Sequence, residues 1–278
     1  MCYLAGTCSA QNVSAFFAFG DSLVDAGNSY YLHTMAKAGY PDDEGLGFKD
    51  YSPPFLDPNS TGDVILKGVN YACAGSGILN STGYINGQHI GMSEQVGNFA
   101  KTRQEIISRI GEAAAKQLLR QALYMVSIGS DDIILRQLSP SNGFHYLDEL
   151  ISEFRTQLIT LYNLDARKIA VTNVAPLGCL FIEIYISYQM VVMFSFPYVL
   201  GFENADSACC TGGPLGRHGA FLFGCRSFSH ICEDRTKYVF WDRFHPSEAY
   251  NLIAAKHMLD GGLHYVSPMN LHQLAISH

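Results

Sequence analysis

A chain of 278 residues that is 48% hydrophobic and only 15% charged is long enough to bury a sizeable core. Its formal net charge is −7 and no basic run or stripe occurs, which argues against nucleic acid as a partner. Four of its eight cysteines, Cys209, Cys210, Cys225 and Cys232, crowd together without a Cys-x-x-Cys pair or the histidine spacing of a zinc site, so disulfides are favoured over a metal.

The start, Met1–Ala10, lacks a basic segment but ends in the small residues Cys8-Ser9-Ala10. It reads either as the tail of a signal peptide whose beginning is absent or as an ordinary disordered start. Three glycosylation sequons, at Asn12, Asn59 and Asn80, favour secretion. Ala15–Phe19, with three phenylalanines, has the composition of a strand buried on both faces. Gly20-Asp21-Ser22 stops that strand, and Leu23–Lys37 reads as a helix with Asp25 in its first turn. A serine at such a turn sits at the carboxyl edge of the sheet with its N–H at a helix N-terminus. That placement suits a nucleophile whose attack creates an oxyanion, and it equally suits a plain helix N-cap.

Gly39–Gly62 reads as loop, and Val64–Ala72 as the next strand, leaving through Cys73-Ala74-Gly75-Ser76-Gly77. That exit lacks the third glycine of a dinucleotide-binding fingerprint. Ser93–Leu123 is helical with a break at Gly111, and Tyr124–Ile128 is a buried-type strand ending in Gly129-Ser130-Asp131-Asp132. Tyr146–Tyr162 is an amphipathic helix and Lys168–Val174 a fourth strand. Alternation of this kind predicts a parallel sheet with helices on both faces, with ligands bound outside the carboxyl ends of the strands. Ser22, Gly75 and Asp131 all fall at that edge.

Leu180–Phe202 is apolar or aromatic almost throughout, with Glu183 its only charge. Its length satisfies a membrane helix, while Pro197 and the β-branched and aromatic residues suit a buried strand; no stable membrane span is expected. Near the end, Asp242 and His245 sit three apart, before a helix at Ser247–Leu259. A carboxylate in that position can hold an imidazole in one tautomer while its other nitrogen faces a serine; the same spacing also occurs in plain turns.

Gly20-Asp21-Ser22-Leu23-x-Asp25-x-Gly27-Asn28 resembles the first block of the GDSL esterase/lipase family (the SGNH hydrolases) in its plant branch, with Ser29 where a second Asn is usual. Val69–Ile78, Gly129–Asp132, Val174–Cys179 and Asp242-x-x-His245-Pro246 resemble the later blocks, in order. The resemblance implies one domain over 11–278: a three-layer α/β/α sandwich, flavodoxin-like, with a mostly parallel sheet. It implies Ser22 as nucleophile, His245 as general base then acid, and Asp242 as the carboxylate that orients it. The oxyanion donors would be the N–H groups of Ser22 and Gly75 and the side chain at position 131, where relatives carry Asn and this chain carries Asp131. The family's spacing further suggests two bridges among the four late cysteines, in a pairing left open. The implied activity is hydrolysis of small-molecule, carbohydrate or lipid esters by a secreted protein needing neither metal nor cofactor. Segments that relatives carry after Lys37 and around Leu180–Phe202 are shortened here. Those gaps and Asp131 together leave a second reading open, a catalytically impaired remnant of the same family.

Overall fold

The computed structural model describes residues 13–37, 52–138, 145–174, 201–211, 225 and 229–277. In chain order the principal elements are β1 (Phe16–Gly20), α1 (Met92–Ile110), α2 (Glu112–Gln121), β2 (Leu123–Ser127), α3 (Ser130–Leu138), α4 (Tyr146–Asn163) and β3 (Lys168–Val171). Then come β4 (Asn204–Ala208), β5 (Cys210–Thr211), β6 (His230–Ile231), β7 (Tyr238–Phe240), α5 (Glu248–Asp260) and α6 (Leu271–Ile276). β1, β2 and β3 form a parallel sheet in that order, registered from Phe16 opposite Leu123 to Gly20 opposite Ser127. On the free edge of β1 runs an extended segment. Its Val69 carbonyl accepts the Ala18 N–H at 3.2 Å, and its Tyr71 N–H donates to the Ala18 carbonyl at 2.8 Å.

The strands are apolar on both faces, and each face has its own cover. Phe17 and Phe19 join Tyr124 and Val126 in a cluster with Phe99 and Ile106 of α1, Ala115 and Leu119 of α2 and Leu161 of α4. Phe99 meets Phe17 edge-on at 5.3 Å, and Phe19 stacks on Tyr71 at 5.0 Å. Phe16, Leu123 and Met125 point the other way, onto Ala255 and Leu259 of α5 and Leu271 of α6. Each such side chain contributes about 1.5–3 kcal/mol by leaving water. This is the three-layer arrangement expected from the alternating pattern.

Three expectations need correction. Leu23–Lys37 is not a helix; apart from a short 3-10 turn at Asn28–Tyr31 it is turns and bends. The Asp25 carboxylate takes the N–H groups of Gly27 at 2.8 Å, Asn28 at 2.7 Å and Ser29 at 3.2 Å. A helix would need those donors for its own carbonyls, and Gly27 sits at φ 121°, outside the helical basin. The strand expected over Val64–Ala72 is a 3-10 turn at Gly62–Lys67 followed by extended chain, and β3 ends at Val171 rather than Val174. The break at Gly111, the strand after it and the helices at 146–163 and 248–260 match expectation.

Residues 1–12 and 175–200 lie outside the described part, and with them the leader reading and most of the Leu180–Phe202 stretch. Among the described residues no helix is long and apolar enough to cross a membrane. Phe202 is buried in a second cluster with Val239, Phe240 and Tyr250.

The pairing of the late cysteines is Cys209–Cys232 and Cys210–Cys225. The same segment is registered on the strand that leads to Asp242: Cys209 N–H donates to the Phe240 carbonyl at 3.0 Å and Cys210 N–H to the Trp241 carbonyl at 2.7 Å. Each bridge closes a loop whose constraint is worth about 2–4 kcal/mol. Replacing Cys209 and Cys232 together by serine should therefore lower the melting temperature by roughly 5–10 °C, read by circular dichroism. An unchanged melting temperature would mean that this bridge does not hold the loop.

Candidate active site

Three chain segments meet at the carboxyl edge of the sheet: the turn after β1, the start of α3 after β2, and the loop between β7 and α5. β1 hands the chain to Asp21, whose N–H still bonds the Ser127 carbonyl at 3.1 Å. The edge of β1 is completed by a side chain. Gln95 of α1 accepts from the Gly20 N–H and donates to the Gly20 carbonyl, both at 2.8 Å. Ser22 follows, partly exposed, in a turn closed by the Val24 N–H on the Asp21 carbonyl at 3.3 Å.

His245 Nε2 lies 2.8 Å from Ser22 Oγ, and its Nδ1 lies 2.9 Å from both carboxylate oxygens of Asp242. Asp242 is 3% exposed and also accepts the N–H groups of Phe244 and His245, each at 2.8 Å. Burial alone would raise its pKa, but the His245 cation and these donors outweigh it and hold the carboxyl below its ordinary range. For His245, burial disfavours the cation; the carboxylates of Asp242, Asp131 and Asp21 overcome that and raise it to about 9. An Asp on one ring nitrogen and a serine hydroxyl on the other set the tautomer that leaves Nε2 free to take a proton.

Asp131 stands in the first turn of α3 and exchanges electrostatic influence with His245. Its Oδ2 is buried and meets no hydrogen-bond partner. Burial pushes its pKa up to about 7 against the pull of the His245 cation, with Asp132 adding to the rise.

Gly75 lies on the loop after Cys73 and is joined to the Ser22 turn through Asp25, which accepts the Ala74 N–H at 3.0 Å. Its φ is 76°, and a Cβ there would fall 2.6 Å from the Ala36 Cβ, so both conformation and space require glycine. Among the described residues the N–H groups of Ser22 and Gly75 make no hydrogen bond.

Of the residues picked from the sequence, the structure brings Ser22, Asp242 and His245 into direct contact. It places Asp131 within electrostatic reach of His245 and couples Gly75 to the site through Asp25. Several buried polar residues under the site were not picked out. Asn28 donates from Nδ2 to the carbonyls of Asn70 and Ala72, both at 2.9 Å, while Asn70 donates to Val24 at 2.7 Å. Asp132 accepts the N–H groups of Ile78 at 2.8 Å and Leu79 at 3.1 Å and the Thr82 hydroxyl at 2.6 Å, fastening α3 to the loop that carries Gly75. Asp132→Ala would leave two N–H groups in a buried loop without acceptors. We expect it to cost roughly 2–4 kcal/mol in urea unfolding; a loss under about 0.5 kcal/mol would contradict this fastening role.

Among the described residues no group of His, Cys, Asp and Glu is arranged to hold a metal ion. A family profile described as GDSL-like Lipase/Acylhydrolase matches residues 16–258. The chain is 36% identical to GDSL esterase/lipase At4g16230 of Arabidopsis thaliana over a 342-position alignment that covers 96% of this chain and 92% of that protein. It is 33% identical to GDSL esterase/lipase At3g50400 of the same plant, with 93% and 90% covered. It is also 33% identical to GDSL esterase/lipase At2g23540, with 94% and 88% covered. A 342-position alignment exceeds the 278 residues available, so that relative carries residues this chain lacks.

Proposed function

The chain belongs to the GDSL-like lipase/acylhydrolase family, and from that premise we propose that it hydrolyses carboxylic esters of small molecules or lipids through an acyl-enzyme on Ser22. The observation that carries the reading is the unbroken relay from Ser22 Oγ through both nitrogens of His245 to the buried Asp242. His245 takes the Ser22 proton as Oγ attacks the ester carbonyl, then returns it to the leaving alcohol. Water enters, gives its proton to the same imidazole, and releases the acid. Asp242 remains ionised throughout and steadies the imidazolium. The N–H groups of Ser22 and Gly75 receive the oxyanion, with position 131 as the third contributor.

Two disulfides and the exposed sequon residues Asn59 and Asn80 support a secreted glycoprotein. The test is a fluorophosphonate probe, together with turnover of a p-nitrophenyl ester series by folded protein. A folded chain that neither labels at Ser22 nor turns over any ester of the series would favour the remnant reading.

A further inference from the structure

We propose that in the resting site Asp21 is a neutral acid that donates its Oδ2–H to Oδ2 of Asp131, so that the pair holds one proton and one negative charge instead of two, a further proton on Asp131 being needed before it can donate. The inference rests on the reading of position 131 as part of the site and extends it to a residue that reading does not use.

Two carboxyl oxygens lead to it. Asp21 is 1% exposed; its Oδ1 accepts the Leu23 N–H at 3.0 Å, while its Oδ2 is buried without a partner. Asp131 Oδ2 is buried without a partner as well. Buried carboxylate oxygens that accept nothing are costly, and two close together are costlier still. The strands bring the two residues together. Gly20 is registered opposite Ser127, Asp21 is the next residue on one strand, and Asp131 opens the helix just beyond the other. One proton between the two Oδ2 atoms satisfies both at once.

Among the described residues no hydrogen-bond donor reaches either Oδ2 atom. From α3 the neighbouring Asp132 is also an acid, with its own oxygens already taken by Ile78, Leu79 and Thr82. From the β7–α5 loop comes His245, whose two ring nitrogens face Ser22 and Asp242. In keeping with this, burial and then the Asp131 charge hold the Asp21 carboxyl well above its ordinary range. Asp21 is thus a positioning residue: it fixes the Asp131 carboxyl through Oδ2.

The test uses infrared difference spectroscopy at about pH 8.5, where Asp131 itself is ionised, on the Ser22→Ala protein, so that it needs no turnover and is independent of the esterase reading. The C=O stretch of a protonated carboxyl should be present. Asp21→Asn should remove it, and Asp131→Asn should shift it, by changing the acceptor, without removing it. No such band, or a band that either substitution leaves unchanged, overturns the proposal. Should Asp21→Asn fail to fold, the Asp131→Asn arm decides alone: a band that persists at a shifted frequency places the proton on Asp21, and loss of the band places it on Asp131 and overturns the proposal.

Discussion

Ser22→Ala should abolish fluorophosphonate labelling and cut ester turnover by roughly 10⁴-fold or more, leaving only what binding and the oxyanion donors supply. No other side chain stands in the relay: His245 Nε2 has Ser22 Oγ as its partner, and Asp242 is committed to Nδ1 and to two backbone N–H groups. The remaining free thiol among the described cysteines, Cys73, is buried, and its pKa is pushed up to about 12, so it offers no substitute nucleophile. Removing the hydroxyl leaves the imidazole and its carboxylate in place, so the variant should fold as the parent does. Turnover within tenfold of the parent would refute the assignment of Ser22.

Asp131→Asn should act in the opposite direction and raise kcat/KM at neutral pH by at least about tenfold. An ionised carboxylate accepts hydrogen bonds and donates none, and a lost oxyanion donor costs about 2.7–4 kcal/mol, or 10²–10³ in turnover. Asp131 can donate only when neutral, and His245 can act as a base only when neutral. With Asp131 at about 7 and His245 at about 9, sites holding one proton keep it mostly on the imidazole. The competent arrangement, proton on Asp131 and none on His245, is then the minor one among those sites. The parent should show a bell-shaped profile with limbs near those two values, low even at its maximum.

The amide donates at every pH, and it removes one of the anions that raise His245. The variant should show one rising limb, at lower pH than the parent's His245 value, and no alkaline fall. Stability follows the same sign. A carboxyl whose folded pKa is raised favours folding at acid pH and loses that contribution as pH climbs through about 7. Asp131→Asn should therefore gain melting temperature over the parent above pH 7 and lose that advantage near pH 4. A folded variant no faster than the parent would mean that Asp131 either already donates as a neutral acid or does not line the site.

What the sequence carried plainly was local. An apolar run with three phenylalanines marks β1, a glycine splits α1 from α2, and a short spacing joins Asp242 to His245; each is read within a few residues. What it hid depends on pairing across distance. Asp25 reads as a first-turn helix residue until Ala74, 49 positions on, shares its carboxylate with Gly27, Asn28 and Ser29. Asp132 reads as one more acid until Ile78, Leu79 and Thr82 close around it. Adjacent Cys209 and Cys210 send their bonds to different partners, which spacing alone leaves undetermined. Asp21 matters only because a second acid arrives from β2's end.

The covering of β1 and β2 from two sides has a consequence for how the protein is made. One face is sealed by α1, α2 and α4, and the other by α5 and α6, which come much later in the chain. During synthesis Phe16, Leu123 and Met125 therefore stand uncovered until α5 and α6 have left the ribosome, a surface that holdase chaperones favour. Over the same interval Ser22, 223 positions ahead of His245, stands without its imidazole partner. Ser22 meets His245 only as the sheet's second apolar face is being closed.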